Sequence, residues 1–336
     1  MSEFFLAPVP QTVLNTQGEV GFGKFSGAIA DIDWSGLAVP FQRSALWRAV
    51  HHKHWQYLAL ATADIFCGIA IVDVGWTNTA FAYVFDRKEK KLIASFSQDG
   101  LPGLTASINS RPALGAASHF HFLRSRIDFT GASATDSARL DVVCGDFSIH
   151  VQLHEQQAAP ALTAIGTVVG GTVHATVKSA GMPMTGEVHV AGRRYSLNDG
   201  VASTDHSNGF LARETAWRWA SAHGLDVGFN LQSGYFGNNE NALWLDGKLI
   251  SLSTARFDFD PANPLASWHI TTDDGLLDVI FQPEGCRRED KNLLIAASRY
   301  VQPIGTFSGW VKAHPAAEPR AINNLVGVTE DHFSRW

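Results

Sequence analysis

Helical periodicity, charge and cysteine are all scarce in this sequence of 336 residues, and each shortage removes a class of protein. Residues 42–55 could form a short helix. Elsewhere apolar residues do not recur at helical spacing, which argues against helical bundles and doubly wound α/β folds. Charged residues make up 17% of the chain and the net charge is -6. The one basic run, Arg87-Lys88-Glu89-Lys90-Lys91, reads as a solvated turn. Nucleic acid requires a phosphate-neutralising face of Lys and Arg, and an anionic lipid surface requires the same; neither partner fits. Three cysteines, Cys67, Cys144 and Cys286, are far apart and odd in number. A disulfide framework or a structural zinc site needs paired or clustered ligands, so buried free thiols are expected. No apolar run reaches ~20 residues, so no membrane-spanning helix is expected. Residues 1–11 lack a basic segment followed by a long apolar one, which argues against a secretory signal. These features together suggest a cytoplasmic protein. The P-loop, the strand-to-helix GxGxxG, GxSxG, HExxH and the EF-hand are missing too, and with them the common nucleotide, serine-hydrolase and zincin readings.

What remains is strand. Apolar residues reach 45%, enough for a large core, and the length suits two β-domains of ~150 residues better than one barrel. Runs at 55–62, 65–73, 79–85 and 91–98 alternate with turn residues in the rhythm of an antiparallel meander. Residues 119–129 read as one further strand, and 138–143 with 147–154 as another pair. There, Ile149, Val151 and Leu153 alternate with His150, Gln152 and His154, the pattern of a half-buried strand. Residues 156–186 are rich in Ala, Gly, Pro and Thr and contain Gly170-Gly171. They read as a seam dividing the chain into 1–182 and 183–336. Beyond it, 186–190, 215–222, 226–231, 241–246, 248–259, 267–272, 276–282, 293–301 and 305–312 read as strands. Asp246-Gly247 and Asp274-Gly275 are hairpin turns. The expected fold class is all-β, with two consecutive antiparallel β-domains.

Polar and aromatic residues are densest at 204–240. On a strand, Trp217 and Trp219 share one face and Arg218 takes the other. Two indoles could wall an apolar cavity with N–H handles, or simply fill a core. Asp205 beside His206 supplies a carboxylate and a group titrating near neutrality, the usual acid–base pair. Adjacent strand residues point apart, however, and Asp205 with Asn208 before Gly209 would equally form an Asx-type turn. Arg213, Glu214 and Tyr235 belong to the same stretch. Asn230, Asn238, Asn239 and Glu240 lie near strand ends, where they could orient a ligand or satisfy a barrel rim. Arg287-Arg288-Glu289-Asp290 reads as a charged surface loop, although a functional Arg could pair with an anionic group. His119 and His121 share a strand face, but two ligands make an incomplete metal site, and no metal is expected. The polar and aromatic stretch 329–336 could dock back on the body.

Several of these blocks occur together in a known family. Lys53-His54-Trp55 with Trp76 and 80–86, Asp205-His206-Ser207-Asn208-Gly209 with Trp217-Arg218-Trp219-Ala220, and Gly228-Phe229-Asn230-Leu231 resemble the bacterial domain-of-unknown-function family 2804. So do Pro283-Glu284-Gly285 with Arg288-Glu289-Asp290, and 302–309. The resemblance spans nearly the whole chain and brings no established activity. More distantly, Asp-His-x-x-Gly followed by Trp-x-Trp resembles the lipocalin-like proteins that include carotenoid 1,2-hydratase (hydroxyneurosporene synthase) and lipocalin-like cyclases. That resemblance implies two lipocalin-like (calycin-type) barrels, an apolar cavity, and protonation of an isolated alkene whose cation is steadied by aromatic rings. On it, Asp205 would donate the proton and His206 would be its partner or the base. Trp217 and Trp219 would flank the substrate, with Asn208, Arg213, Glu214, Asn230, Tyr235 and Asn238 around it. Asn208 stands where that group carries a Trp before the Gly, so one ring is missing here. The function expected is binding of a hydrophobic, isoprenoid or lipid-like molecule in a β-barrel cavity. Cofactor-free hydration, isomerisation or cyclisation would follow, with no cofactor required. A non-catalytic carrier and a structural interaction module with self-filled barrels are the alternatives.

Overall fold

The computed structural model describes residues 6–112, 117–131, 137–292 and 296–336. Ten strands carry the site and its supports: β1 (His52–Ala61), β2 (Ile65–Asp73), β3 (Asn78–Asp86), β4 (Val173–Val190), β5 (Val201–Phe210), β6 (Glu214–Ala222), β7 (Val227–Gly234), β8 (Leu277–Asn292), β9 (Ala297–Val311) and β10 (Arg320–Arg335). In the first sheet the spatial order is Lys91–Gly100, β3, β2, β1, β5, β4, Phe147–Leu153, Ala138–Cys144, Ser125–Thr130, Ala117–Phe122 and Ala106–Ile108. In the second it is Lys248–Ser251, Ala242–Leu245, β7, β6, β10, β9, β8, Trp268–Thr272 and Ala255–Asp258.

Alternation closes the first sheet on itself. Leu58 and Leu60 on β1, Ile149 and Val151 on Phe147–Leu153, and Met184 and Val188 on β4 all belong to one continuous buried cluster. A sheet whose inner face touches itself all round is a barrel. Its interior is filled by its own side chains: a void bordered by Leu58, Ile69 and Phe129 measures about 10 Å³. The second sheet curves as a half-barrel round Phe229, Leu231, Trp268, Phe281 and Phe307. Trp268 is stacked on Phe259 at 3.7 Å there. The fold is thus two consecutive lipocalin-like antiparallel barrels.

The outward faces of the two sheets meet. Tyr57, Ala59, Phe66, Ala70 and Phe85 of the first pack on Trp219, Ile304 and Val328 of the second. One glycine makes this possible. Gly68 faces Tyr83 across β2 and β3, and a Cβ there would lie 2.5 Å from the Tyr83 ring. The ring lies across that gap, and its hydroxyl donates to Gln302 Oε1 of the second sheet at 2.5 Å.

Several sequence expectations change here. The strand expected at 119–129 is a hairpin, Ala117–Phe122 and Ser125–Thr130, turning at Leu123, which is 90% exposed with φ 55°. Residues 248–259 form two strands, Lys248–Ser251 and Ala255–Asp258. The division at 182/183 falls inside β4, which runs through it with Gly181 at φ 66° beside a bulge. The chain leaves the first sheet after Phe210 and enters the second at Glu214. Of the stretch that looked like a seam, Leu162–Thr167 and β4 are strands and Gly170-Gly171 lie in the turn between them; residues 173–178 of β4 are all buried, on both faces, and close packing on two sides favours small residues. Asp246-Gly247 does form a hairpin turn, with φ 52° and 74°. The stretch 329–336 is the end of β10, held between β6 and β9. Cys67 and Cys144 are buried free thiols, and Cys286 is half-buried. No helix among the described residues is long and apolar enough to cross a membrane.

Candidate functional site: a chamber between the barrels

Alternation on β5 sends neighbouring side chains to opposite places. Val201 and Asp205 face the second sheet, whereas Ala202 belongs to the core of the first barrel. Asp205 therefore points into a chamber of about 110 Å³ between the two sheets. Trp55 and Tyr57 of β1, Phe81 of β3, Trp217 and Trp219 of β6, Tyr235, Tyr300 of β9 and Trp336 make its aromatic walls. Edge-on contacts hold the rings: Tyr57 meets Trp219 at 5.7 Å and Trp217 meets Tyr235 at 5.6 Å. The polar members are Lys178, Asp205, Gln232, Glu240, Glu330 and His332.

Lys178 organises the polar end. On β4 it follows His174 and Thr176 at a spacing of two, a polar face that reaches between the barrels. Its ammonium lies 2.5 Å from Asp205 Oδ2 and 3.2 Å from Glu240 Oε2, and all three groups are largely out of water. Asp205 is further held by Ser207 Oγ at 3.0 Å, Thr176 Oγ1 at 3.3 Å and Trp55 Nε1 at 3.4 Å. An ammonium and three neutral donors thus converge on one carboxylate. Burial alone would lower the Lys178 ammonium, but Asp205 and then Glu240 outweigh it and hold it above its usual range. Glu240 behaves differently. Burial pushes its carboxyl up, Lys178 pulls it down, and repulsion from Asp205 adds to the rise, which prevails. One cation thus serves two acids, and Glu240 is the one whose carboxyl is raised.

A second cluster lines the opposite wall. Glu330 accepts from Trp217 Nε1 at 2.8 Å and from Gln302 Nε2 at 3.0 Å, and His332 Nδ1 lies 3.3 Å away. Burial raises the Tyr235 phenol well above its ordinary range, so it stays a neutral donor. Gln232 stands apart. It is 1% exposed, and neither its amide oxygen nor its nitrogen has a hydrogen bond. An unpaired buried amide costs about 1–3 kcal/mol, which marks a place where a ligand can repay it.

The residues expected from sequence divide into three groups. Asp205, Trp217, Trp219 and Tyr235 come together in the chamber. Asn230 supports it from behind, accepting from Trp219 Nε1 and donating to the Glu240 carbonyl, at 2.8 and 2.9 Å. The others lie elsewhere. His206 points to the other side of β5, where it bonds Gln56 at 2.7 Å and His54 at 3.1 Å, so it does not pair with Asp205. Asn208 follows His206 on that side and bonds His52 at 2.8 Å. Arg213 and Glu214 are exposed where the chain crosses between sheets, and Arg213 Nη1 donates to the Trp336 carbonyl. Asn238 is exposed in a turn. The cavity lies between the barrels, on their outward faces, not inside either one. Arg287, read as part of a surface loop, lies on β8 and is 4% exposed. Lys178, Gln232 and Glu330 escaped the sequence reading. The period-two polar residues of 174–178 were the signal for Lys178; Gln232 lies in the polar and aromatic stretch 204–240 and Glu330 in 329–336, but their neighbours come from distant strands.

Two stacked lipocalin-like barrels with an aromatic, acid-bearing chamber between them define the class. Within it, the chain belongs to the family described as domain of unknown function DUF2804, which matches residues 7–336. No curated protein matches the sequence. Solved structures with a similar fold include CghA with Sch210972, at TM-score 0.58 and 9% identity, covering 99% of this chain and 98% of that one. Kievitone hydratase from Nectria haematococca gives 0.52 and 9%, covering 95% and 98%. A protein described as an AttH, from Nitrosomonas europaea, gives 0.54 and 12%, covering 88% and 98%.

Proposed function

We propose that the chamber binds a mostly apolar small molecule and protonates it from Glu240, while the surrounding rings steady the positive charge that develops. The observation that carries this reading is the sharing of Lys178 by two buried acids, Asp205 and Glu240, in a pocket walled by indoles and phenols. A neutral carboxylic acid facing a π-rich cavity can add its proton to an alkene carbon. The π electrons form the new C–H bond, and the adjacent carbon becomes cationic beside the ring faces. Glu240 is left as a carboxylate 3.2 Å from Lys178 Nζ, which offsets the new charge. The cation then loses a neighbouring proton, giving an isomer, or takes a nucleophile. Water gives hydration and returns a proton to Glu240; an internal alkene closes a ring and moves the cation, which is quenched when a neighbouring C–H proton passes to the Glu240 carboxylate, the same acceptor that takes the proton in isomerisation. Names among the structural neighbours are in keeping with this: one is a hydratase, and another holds a small molecule.

Native mass spectrometry of the purified protein, with solvent extraction of what it carries, identifies the compound to test. Glu240→Gln is expected to lower its turnover by a factor of about 10²–10⁴ with affinity little changed. Unchanged turnover would remove Glu240 from the mechanism, and a compound that wild type binds but never converts would leave a carrier. Asp205→Asn provides a second check. It removes the repulsion that raises Glu240 and gives that acid sole use of Lys178. Activity requires the protonated acid and falls as pH rises through its pKa, so the alkaline limb of the pH–rate profile moves to lower pH in Asp205→Asn.

A further inference from the structure

The chamber continues past its aromatic wall. Beyond Phe81, Tyr300 and His332 lies a groove of about 260 Å³, bordered by Val74, Trp76 and Thr79. Chamber and groove share Val72, Phe81, Tyr300, His332 and Trp336, so one layer of side chains stands between them. Small-molecule sites usually begin at about 300 Å³. The chamber alone falls short of that, and the two spaces together exceed it.

Arg287 and Lys291, two of the cations that line the groove, are already matched. The Arg287 guanidinium lies over Phe81 at 4.1 Å and Tyr300 at 4.9 Å, and binds Glu289 at 2.5 Å. Lys291 binds Asp99 and Glu289, both at 2.8 Å. A charged group that met Arg287 or Lys291 would therefore have to break an existing pair to gain one. At the other end, Gln232 offers a donor and an acceptor unbonded among the described residues, while Lys178 is already shared by Asp205 and Glu240. A hydroxyl or carbonyl suits such a place, and an anion does not.

We propose that chamber and groove form one elongated site for an uncharged, long-chain alcohol or carbonyl compound, with its polar end at Gln232 and its apolar tail passing Phe81 and Tyr300 into the groove. This rests on the reading that the chamber is a ligand site. The groove explains why so small a chamber can serve a larger molecule. It also fixes which end of that molecule faces Glu240.

Titration of the protein with farnesol, prenol and farnesoic acid, followed by tryptophan fluorescence, tests it. Farnesol is expected to bind at least about 100-fold tighter than prenol, since its extra carbons are buried in the groove. Farnesoic acid is expected to bind about tenfold more weakly than farnesol, because its carboxylate finds Lys178 already shared by two acids. Thr79→Trp, which fills the groove without reaching the chamber, is expected to weaken farnesol about tenfold and prenol less than about twofold. Thr79→Val is the control for losing the Thr79 hydroxyl bond to the Gln98 carbonyl. Equal affinity for the two alcohols, or farnesol binding unmoved by Thr79→Trp in a folded protein, would overturn the elongated site and leave the chamber reading standing. Tighter binding of the acid would overturn the choice of an uncharged ligand. Failure of wild-type protein to bind either alcohol would overturn the chamber reading and this inference together.

Discussion

Replacing Lys178 with Met is expected to destabilise the protein by about 3–5 kcal/mol near neutral pH, the cost of leaving buried charge without its partner. The side chain is 4% exposed and is the ammonium shared by Asp205 and Glu240. Met matches much of its length, so little of the loss comes from an empty cavity. The pH dependence separates charge from packing. Without the ammonium, the buried carboxyls hold protons more tightly folded than unfolded. Where the folded state binds more protons, stability falls as pH rises. The deficit relative to wild type should therefore be small below about pH 4.5, the ordinary carboxyl range, and grow as pH rises. Adding Asp205→Asn to Lys178→Met should recover part of the loss. Urea unfolding of wild type, Lys178→Met and the double variant at two pH values measures all three. A deficit that is the same in acid and at neutrality would show that packing, not charge, sets the role of Lys178.

The fold was largely legible because β-sheet writes itself into alternation. The pattern at Ile149, Val151 and Leu153 predicted a half-buried strand, and that strand lines the first barrel. The run 65–73 appears as β2 with the same bounds. Alternation fails where both faces are buried. On β4, Val173, His174, Ala175, Thr176, Val177 and Lys178 are all covered, so the stretch looked like a linker and drew the boundary to it. The same cause hid half of the site. Trp217, Trp219 and Asp205 were visible as unusual residues in one stretch of sequence. Lys178 and Glu330 acquire their roles only through β4–β5 pairing and the meeting of two sheets, separations of tens to more than a hundred residues. His206 shows the converse. Its adjacency to Asp205 suggested a pair, yet adjacency on a strand means opposite faces, and the structure gives it Gln56 and His54 instead.

Acidification is expected to unfold the protein cooperatively between about pH 6 and pH 4.5, driven by buried histidines. His54, His174, His206 and His223 are each at most 6% exposed. Burial pushes His174 and His223 down to about 3 and His206 to about 4, and holds His54 well below its usual value. Geometry agrees. The His54–His206 contact at 3.1 Å needs one ring nitrogen to donate and the other to accept, so the pair cannot hold both rings fully protonated. Among the described residues, neither nitrogen of His174 or His223 has a hydrogen-bond partner. The sign follows from the depressed folded values. Above about 6.5, both folded and unfolded rings are neutral and stability is complete; below it, the unfolded chain takes up protons that the folded one refuses. Each ring then costs about 1.4 kcal/mol per pH unit, so four rings approach about 5 kcal/mol per unit, comparable with the whole stability of a typical domain. Glu240 and Glu155 act the other way, since a raised carboxyl takes up a proton on folding, but they are two groups against these four and His52, which burial also lowers. Thermal melts from pH 7.5 downward should show a steep decline beginning near 6.5. His223→Phe provides the control: the ring packs beside Phe66 at 5.6 Å, and an apolar ring there should make the decline shallower by about one proton's share. A melting temperature unchanged down to pH 5 would mean that these histidines reach water, and that the interior between and within the barrels is more open than their burial implies.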